Sequence, residues 1–188
     1  MNKQIGMRTD GLERHRFSTV DIDRMVAAGI LEAEGRWELI DGEIVPMAAQ
    51  HTPHARVVSH LFRTVFAAIE TARYEVFLGA MVELSPSTRL DPDLYVAKAG
   101  LTSKIVPASA VLWAVEVSDS TRRKDLKIKA PLYADAGIPE YWVIDVEERV
   151  THIHRGLSAD GWREPIRVAP FTEAIAPAAF PAISVRLD

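Results

Sequence analysis

The stretch VLWAVEVSDSTRRKDLKIKAPLYADAGIPEYWVID, residues 111–145, decides the fold. Its first seven residues are almost wholly apolar, as expected of a central strand that is covered on both faces. Residues 122–136 then change to helical spacing, and Gly137 supplies the stop. Pro131 lies inside this helix and predicts a kink. The apolar run 140–146 reads as a second buried strand, so the stretch predicts a sheet with helices packed on it.

The sequence on either side of this stretch completes an α/β (α+β) fold, a mixed β-sheet flanked by helices. Helical periodicity, turn signals and apolar runs give the remaining elements. The first is a helix that has a capping box at Ser18 and Asp21 and ends at Gly29, and a hairpin turning at Asp41-Gly42 follows it. A second helix covers residues 53–71, with Thr52 as N-cap and Pro53 as first residue. Later come strands over 74–84 and 94–97, a hairpin over 150–156 and 162–168, and a covering strap over 169–182.

Composition bounds the class of protein. The 188 residues suit one domain of ordinary size, predicted over residues 17–188 behind a loose polar tail over residues 1–16. The absence of cysteine excludes disulfides, thiolate zinc sites and a thiol nucleophile. No apolar segment is long enough for a signal-peptide core or a membrane helix, so we expect a cytoplasmic location and no membrane partner. The net charge of −4 argues against nucleic-acid binding by bulk charge, but not against a local basic surface.

Two acids occupy unusual places in the predicted strands. Asp93 directly precedes an apolar strand, and Glu116 interrupts the run VLWAVEV. A buried carboxylate without a partner costs several kcal/mol, so such a glutamate needs a cation, a proton or hydrogen bonds. Two acids on neighbouring strands can share one divalent cation, since Mg²⁺ prefers a few carboxylate oxygens and several waters. The alternative is that Glu116 pairs with an arginine or lies at a strand end in water.

The helix after Glu116 carries a second set of candidate residues. Asp125, Lys129 and Tyr133 are spaced i, i+4, i+8 and therefore share one helix face, from which Lys129 can point back at the acids. The same helix holds a concentrated basic patch, whose members are Arg122, Arg123, Lys124, Lys127 and Lys129. Such a patch is suited to phosphate groups, although a basic helix face is more often simply solvated.

Several motifs in a fixed order make the chain similar to a known family. They are WELIDGEIVPM from residue 37, His54, PDLYV from residue 92, VEVSDST from residue 115, the spacing D-x-x-x-K-x-x-x-Y from residue 125, and AGIPEYWVID from residue 136. Together they span roughly residues 36–146 and resemble the Uma family of bacterial restriction endonucleases, within the PD-(D/E)XK nuclease superfamily. The resemblance implies a restriction-endonuclease-like fold.

The resemblance also implies roles for individual residues. Pro92-Asp93 supplies the PD element and Glu116 the second acid. The usual lysine two residues after that acid is replaced by Ser118, and Lys129 from the next helix matches the substitute, with Lys127 as fallback.

Two further positions match the family pattern. Glu38 matches an acidic position that completes the metal site, or else it is an exposed strand acid near the hairpin. His54 matches a pocket position, or else it is a structural cap or surface histidine. His152 and His154 share one strand face, but no nearby acid or cysteine completes a metal set, so we interpret them as surface residues.

These observations predict an endonuclease that hydrolyses phosphodiester bonds of nucleic acid, with DNA as the expected substrate. Asp93, Glu116 and Glu38 are the expected ligands of Mg²⁺ or Mn²⁺, and Lys129 positions water or stabilises charge. Tyr133, Asp125 and His54 are expected supports, and Arg122, Arg123 and Lys124 expected phosphate contacts. Two alternatives stay open: a non-catalytic binding or regulatory module that kept the fold, and a metal-dependent hydrolase of small phosphoesters. A homodimer is expected by analogy only.

Overall fold

The computed structural model of the protein describes residues 14–32, 35–164 and 166–188. The sequence predicts a loose tail over residues 1–16, and most of that segment lies outside the described residues. Its last part, residues 14–16, lies against the first hairpin, since the guanidinium of Arg16 is 2.8 Å from the carboxylate of Glu43.

A six-stranded sheet, called the main sheet below, forms the centre of the fold. Its strands, in the order in which they lie side by side, are β13 (Arg167–Pro170), β10 (Val150–Arg155), β9 (Glu140–Asp145), β8 (Val111–Ser118), β6 (Leu94–Lys98) and β3 (Tyr74–Phe77). β8 and β9 are parallel, and all other neighbours in this sheet are antiparallel. The fold is therefore α+β with a mixed sheet, as the sequence predicts.

A second sheet packs on one face of the main sheet. Its strands, in spatial order, are β2 (Glu43–Pro46), β1 (Trp37–Ile40), β5 (Thr88–Leu90), β4 (Val82–Ser85) and β7 (Val106–Pro107), and a separate ribbon consists of β11 (Leu157–Ser158) and β12 (Gly161–Trp162). The predicted hairpin joins β1 to β2. Asp41 and Gly42 at its turn have φ angles of 47° and 78°, the left-handed pair that a two-residue turn of this type requires.

The helices lie where the sequence predicts them, with small shifts at their ends. They are α1 (Thr19–Ala27), α2 (Thr52–Ala68), α3 (Arg122–Lys124) and α4 (Ala130–Asp135), with a π-helical turn (Asp125–Lys129) between the last two and a short 3-10 turn (Ala108–Ala110) before β8. We call the continuous segment 122–135 the lysine helix. None of these helices, which come from the described part of the chain, is long and apolar enough to cross a membrane.

Helix ends follow from local chemistry. Ser18 caps α1: its hydroxyl accepts a bond from the Asp21 amide, and the Asp21 carboxylate accepts one from the Ser18 amide, so the predicted capping box is confirmed. The cap of α2 is His51 rather than the predicted Thr52, and the helix ends at Ala68 rather than at residue 71.

The predicted strand over residues 74–84 is wrong, because it belongs to two different sheets. β3 ends at Phe77 on the edge of the main sheet, and β4 begins at Val82 in the second sheet. Gly79, with φ of 55°, lies in the turn between them and lets the chain change direction. Both halves have the β-rich composition of strands, so only the glycine could have indicated the break.

Apolar side chains fill both faces of the main sheet. On one face, Leu61 and Val65 of α2 pack against a layer that includes Trp113 and Trp142. On the other face, the lysine helix and the second sheet cover a layer that includes Tyr141. The lysine helix and the second sheet therefore meet over one end of β6 and β8, where the candidate acids lie.

The C-terminal part of the chain extends and covers this sheet. β10 pairs with β13, so the late hairpin forms, but its second strand is Arg167–Pro170 rather than the predicted 162–168. Trp162 belongs instead to the β11–β12 ribbon, which is inserted between β10 and β13. Beyond β13, a strap over residues 171–188 places Phe171, Ile175 and Val185 in the core beside α2. The strap is fixed to α2 by a 2.7 Å bond between the His60 ring and the carbonyl of Arg186.

The two histidines of β10 share one strand face, as predicted, but they are not both surface residues. His154 is 2% exposed and lies between the rings of Tyr141 and Trp162, with centroid distances of 5.7 and 5.5 Å. Neither ring nitrogen of His154 has a hydrogen-bond partner among the described residues. Burial, with a smaller contribution from His152, lowers the pKa of His154 from 6.5 to about 4.

We predict that His154→Phe lessens the loss of stability in acid. Between pH 6.5 and 4 the unfolded chain binds a proton at this position and the folded chain does not, so unfolding is favoured as the pH falls. Urea unfolding at pH 7.5, 6 and 5 measures the free energy of unfolding of both proteins. The value for the variant minus that for the parent should increase as the pH falls. A difference that stays constant with pH would contradict this assignment.

Candidate active site

Strand register brings Asp93 and Glu116 to the same face of the main sheet. In the antiparallel pair of β6 and β8, Leu94 lies opposite Val115 and Tyr95 opposite Ala114. One step further along, Asp93 comes opposite Glu116. Because side chains alternate between the faces of a strand, both acids point to the side covered by the lysine helix and the second sheet.

Asp93 is fixed from three directions. Its Oδ2 accepts a 2.7 Å bond from the amide of Val117 on the neighbouring strand. Its Oδ1 accepts a 2.9 Å bond from the Gln50 side chain and lies 3.0 Å from Nε2 of His54. His54 is buried at the start of α2, so the alternative in which it is a surface histidine is wrong.

Lys129 reaches the acids from the lysine helix, as its spacing predicts. Its Nζ is 2.7 Å from Oε1 of Glu116 and 2.7 Å from Oε1 of Glu38. The Tyr133 hydroxyl donates a 3.0 Å bond to the same oxygen of Glu116. Lys129 is 2% exposed and Glu116 is 5% exposed. The alternatives in which Glu116 pairs with an arginine or lies in water therefore do not hold.

Glu38 lies in β1 and is fully buried, so the alternative of an exposed strand acid is wrong. Its Oε1 is close to Lys129, and its Oε2 accepts a 3.0 Å bond from the amine of Lys124. The amide of Asp91 donates a longer bond of 3.3 Å to Oε1. Glu38 thus links the second sheet to the lysine helix through two amines.

The charges of this cluster are strongly coupled. Burial acts to raise the pKa of Glu38, but Lys129 and Lys124 outweigh it and hold that pKa below its ordinary value. Burial likewise acts to lower the pKa of Lys129, but the carboxylates of Glu116 and Glu38 raise it. Burial raises the pKa of Glu116 well above its ordinary value, and Lys129 opposes that shift. Burial thus outweighs Lys129 at Glu116, and a further positive charge close to this carboxyl would favour its ionised form.

Asp125 fixes the start of the lysine helix. Its Oδ2 accepts a 2.6 Å bond from the Ser118 hydroxyl and a 2.5 Å bond from that of Thr121, and its Oδ1 is 3.8 Å from Nζ of Lys129. Ser118 stands where the superfamily has its lysine, and here it bonds to the helix instead. Asp125 and Lys129 are both buried, which agrees with the shared face predicted from the sequence.

The predicted kink at Pro131 takes the form of a wide turn. The π-helical turn Asp125–Lys129 immediately precedes it, and the amide of Ala130 bonds to the carbonyl of Asp125, five residues earlier. Proline has no amide hydrogen for the carbonyl four residues before it, which favours such a widened turn. The turn holds both Asp125 and Lys129 in the site.

The basic residues predicted to contact phosphate differ in whether an acidic side chain already pairs with them. Arg122 is 2.9 Å from Asp145 and 3.5 Å from Glu148, so its charge is already compensated. Lys124 is engaged by Glu38, as described above. Arg123 and Lys127 are exposed and form no ion pair with any described residue. Lys127 thus points away from the buried acids that Lys129 contacts. Of these two lysines, Lys129 is the one at the acids.

A small cleft joins these elements. Its lining combines the acids and Lys129 with residues of the loops before α2 and after β8; the members are Arg36, Met47, Ala48, Ala49, Gln50, His54, Asp93, Glu116, Val117, Asp119, Ser120, Thr121, Lys124, Asp125 and Lys129. Glu38 and Tyr133 lie behind this lining.

Sequence reasoning missed three polar residues near the acids. Gln50 is bonded to Asp93, and Asp119 lines the cleft. Asp91 lies next to the network; burial, together with Glu38 and Asp93, raises the pKa of its carboxyl to about 6, and its Oδ1 has no hydrogen-bond partner among the described residues. The first acid of the DPD motif gave a signal for Asp91, but nothing in the sequence pointed to Gln50.

The family described as "Putative restriction endonuclease" matches residues 22–188. The chain belongs to this family.

Among solved structures, this chain is similar to "a putative nuclease belonging to DUF820" from Anabaena variabilis. The TM-score is 0.70, the sequence identity is 16%, and the match covers 88% of this chain and 92% of that one. At this identity the similarity shows a shared fold. No curated protein matches the chain. Membership of the family supports a nuclease-like function.

The side chains present can accommodate the divalent metal that such a nuclease implies. No group of three or more histidines, aspartates or glutamates among the described residues is arranged as a complete metal site. Asp93 and Glu116 do face one cleft with Val117, and the described residues donate no hydrogen bond to Oε2 of Glu116. Two carboxylates, a carbonyl and waters are a donor set that Mg²⁺ accepts.

We predict that Lys129→Met destabilises the fold by about 3–5 kcal/mol, because it leaves the buried carboxylates of Glu38 and Glu116 without this shared cation. The matched control is Lys127→Met, on the same helix but exposed, which should change the free energy of unfolding by less than about 0.5 kcal/mol. Chemical denaturation followed by circular dichroism measures both. Equal stability of the two variants would show that the acids do not depend on Lys129.

Proposed function

We propose that this chain is a divalent-metal-dependent endonuclease, which hydrolyses phosphodiester bonds of nucleic acid with DNA as its substrate. One observation carries the proposal: β6, β8 and the lysine helix bring Asp93, Glu116 and the Lys129 amine together at one cleft. Two acids and a lysine are the groups that the nuclease superfamily resembled by this sequence uses, and the lysine comes from a different element here.

The acids would hold the metal ion. Asp93 and Glu116 are the proposed ligands, with the carbonyl of Val117 as a third oxygen donor. Mg²⁺ or Mn²⁺ bound there would supply a water of lowered pKa and neutralise charge on the phosphoryl oxygens. The bonds from Val117 and His54 hold the carboxylate of Asp93 in place before any ligand arrives, which lowers the entropic cost of binding.

Lys129 is the proposed electrostatic catalyst. Its amine is held 2.7 Å from Glu116 in a water-poor setting, where a positive charge acts more strongly than in water. From there it can orient the attacking water or stabilise charge that develops on the phosphate. Tyr133 orients Glu116 through its hydroxyl, and Asp125 holds the start of the helix, so both are positioning residues.

We assign Glu38 a different role from the one expected from the sequence. Both of its oxygens are engaged by lysine amines, and it lies behind the lining of the cleft. We therefore propose that Glu38 positions Lys129 and Lys124 rather than binding the metal.

The wider setting is also part of the proposal. DNA as the polymer, a cytoplasmic location and action as a homodimer on duplexes come from the sequence and from analogy with nucleases of this fold. Family membership supports a nucleic-acid substrate. Cleavage of a small phosphodiester without cleavage of DNA would favour the alternative of a small-molecule hydrolase.

We predict that Asp93→Asn and Glu116→Gln each lower DNA cleavage by roughly 1,000-fold, equivalent to about 4 kcal/mol of transition-state stabilisation. Cleavage of a supercoiled plasmid in Mg²⁺ and in Mn²⁺ measures this effect, and EDTA should abolish the parent's activity. Both variants should fold, since each substitution keeps the shape of the side chain and Lys129 retains Glu38 as a partner when Glu116 is neutral. Circular dichroism of the purified variants checks this. If Asp93→Asn cut DNA as fast as the parent, the site assignment would be wrong.

Calorimetry with Mn²⁺ separates the enzyme from a non-catalytic module. The proposal requires binding that Glu116→Gln weakens. Absence of binding, or binding unaffected by this substitution, would favour a binding or regulatory module that kept the fold.

A further inference from the structure

The outer face of α2 carries an arginine surface next to the cleft. Arg56, Ser59 and Arg63 follow one another at i, i+3 and i+7, so they lie along one side of the helix, and all three are exposed. They line an open groove together with Gln50, His51, Thr52 and Ala55. We call these seven residues the α2 groove.

The charge of this surface is uncompensated. The helix Thr52–Ala68 contains no aspartate or glutamate. Arg56 and Arg63 form no ion pair with any other residue that the structure describes. Their state contrasts with that of Arg122 and Lys124 on the lysine helix, which are paired with Asp145 and Glu38. Since an anion would not have to displace an existing partner, the α2 groove is a better phosphate surface than Arg122 and Lys124. Arg123 and Lys127, which are also exposed and unpaired among the described residues, form the rival surface.

The groove is continuous with the cleft through Gln50. This residue lines both, and its side-chain amide bonds to Oδ1 of Asp93. His54, in the first turn of α2, also lines the cleft and contacts the same oxygen of Asp93. A chain of phosphates that passes along the groove is thereby led to the proposed metal ligands.

We propose that Arg56 and Arg63 hold the phosphate backbone of the nucleic acid whose scissile bond lies in the cleft. The inference rests on the proposed function and names the substrate-binding surface of the same site. Seven residues of α-helix span about 10 Å, so the two arginines are far enough apart to contact different phosphates of one strand. The sequence had placed this role on Arg122, Arg123 and Lys124.

Equilibrium binding in EDTA tests the proposal without relying on cleavage. The probe is a fluorescein-labelled 20-mer, used as a DNA duplex and as a single strand, and Kd is measured by anisotropy between 50 and 300 mM KCl. The double variant Arg56→Ala/Arg63→Ala should weaken binding at 50 mM KCl. It should also reduce the slope of log Kd against log salt by about 1.8 for the duplex, or about 1.4 for the single strand, since two phosphate contacts are lost.

Two further double variants serve as references. Arg73→Ala/Arg167→Ala removes the same net charge from exposed arginines that are already paired with Glu70 and Glu173, and should leave the slope unchanged. Arg123→Ala/Lys127→Ala tests the rival surface on the lysine helix.

The outcomes separate this inference from the proposed function. A slope reduced in the α2 variant alone supports the groove, even if the parent protein cuts nothing. An unchanged slope in the α2 variant overturns the inference, even if the parent cuts DNA efficiently. Equal losses in all three variants, a loss confined to Arg123→Ala/Lys127→Ala, or no binding by the parent at 50 mM KCl would also overturn it.

Discussion

The buried amine of Lys129 is the contact on which the arrangement of the site depends. It lies between Glu116 of the main sheet and Glu38 of the second sheet, at 2.7 Å from each. Bringing several carboxylates together away from water is unfavourable unless cations compensate them. One amine therefore joins three structural units, namely the two sheets and the lysine helix. The requirement for positive charge explains how the acids can exist as a folded cluster.

Ser118, at the strand position where the resemblance to the nuclease superfamily implies a lysine, is bonded to the lysine helix. A lysine at position 118 would extend from β8, next to its acid and held by the sheet. Ser118 instead donates a 2.6 Å bond to Asp125, and Thr121 donates a second bond to the same carboxylate. These bonds fix the start of the helix whose second turn carries Lys129. Ser118 thus acts on the orientation of Lys129 through the backbone of the helix.

Much of the fold follows from local sequence signals. The capping box at Ser18, the turn at Asp41-Gly42 and the apolar runs around Glu116 depend on residues near one another in the chain. The site acids also follow, because a carboxylate in an apolar strand has few physical explanations. The reach of Lys129 could be predicted from its helix face, although the widened turn before Pro131 could not.

The failures share a cause, which is distance along the chain. Arg122 and Lys124 were expected to be available to phosphate, but their partners lie 23 and 86 residues away, at Asp145 and Glu38. Gln50 lies 43 residues from Asp93. Pairings of this kind are set by how sheets and helices pack, and composition or periodicity carries no record of them. The burial of His154 is an exception and was missed for a different reason: the ring of Trp162, close in the chain but in the separate ribbon, packs against it.

That ribbon has a practical consequence. The indole N–H of Trp162 donates a 2.9 Å bond to the carbonyl of Ala130, directly after Lys129. The other three tryptophans, Trp37, Trp113 and Trp142, are 6% exposed or less, whereas Trp162 is only partly buried. Its fluorescence is therefore the intrinsic signal most sensitive to the lysine helix. A movement of that helix on binding of metal or substrate would change the emission of one indole and leave the three core indoles as an internal standard.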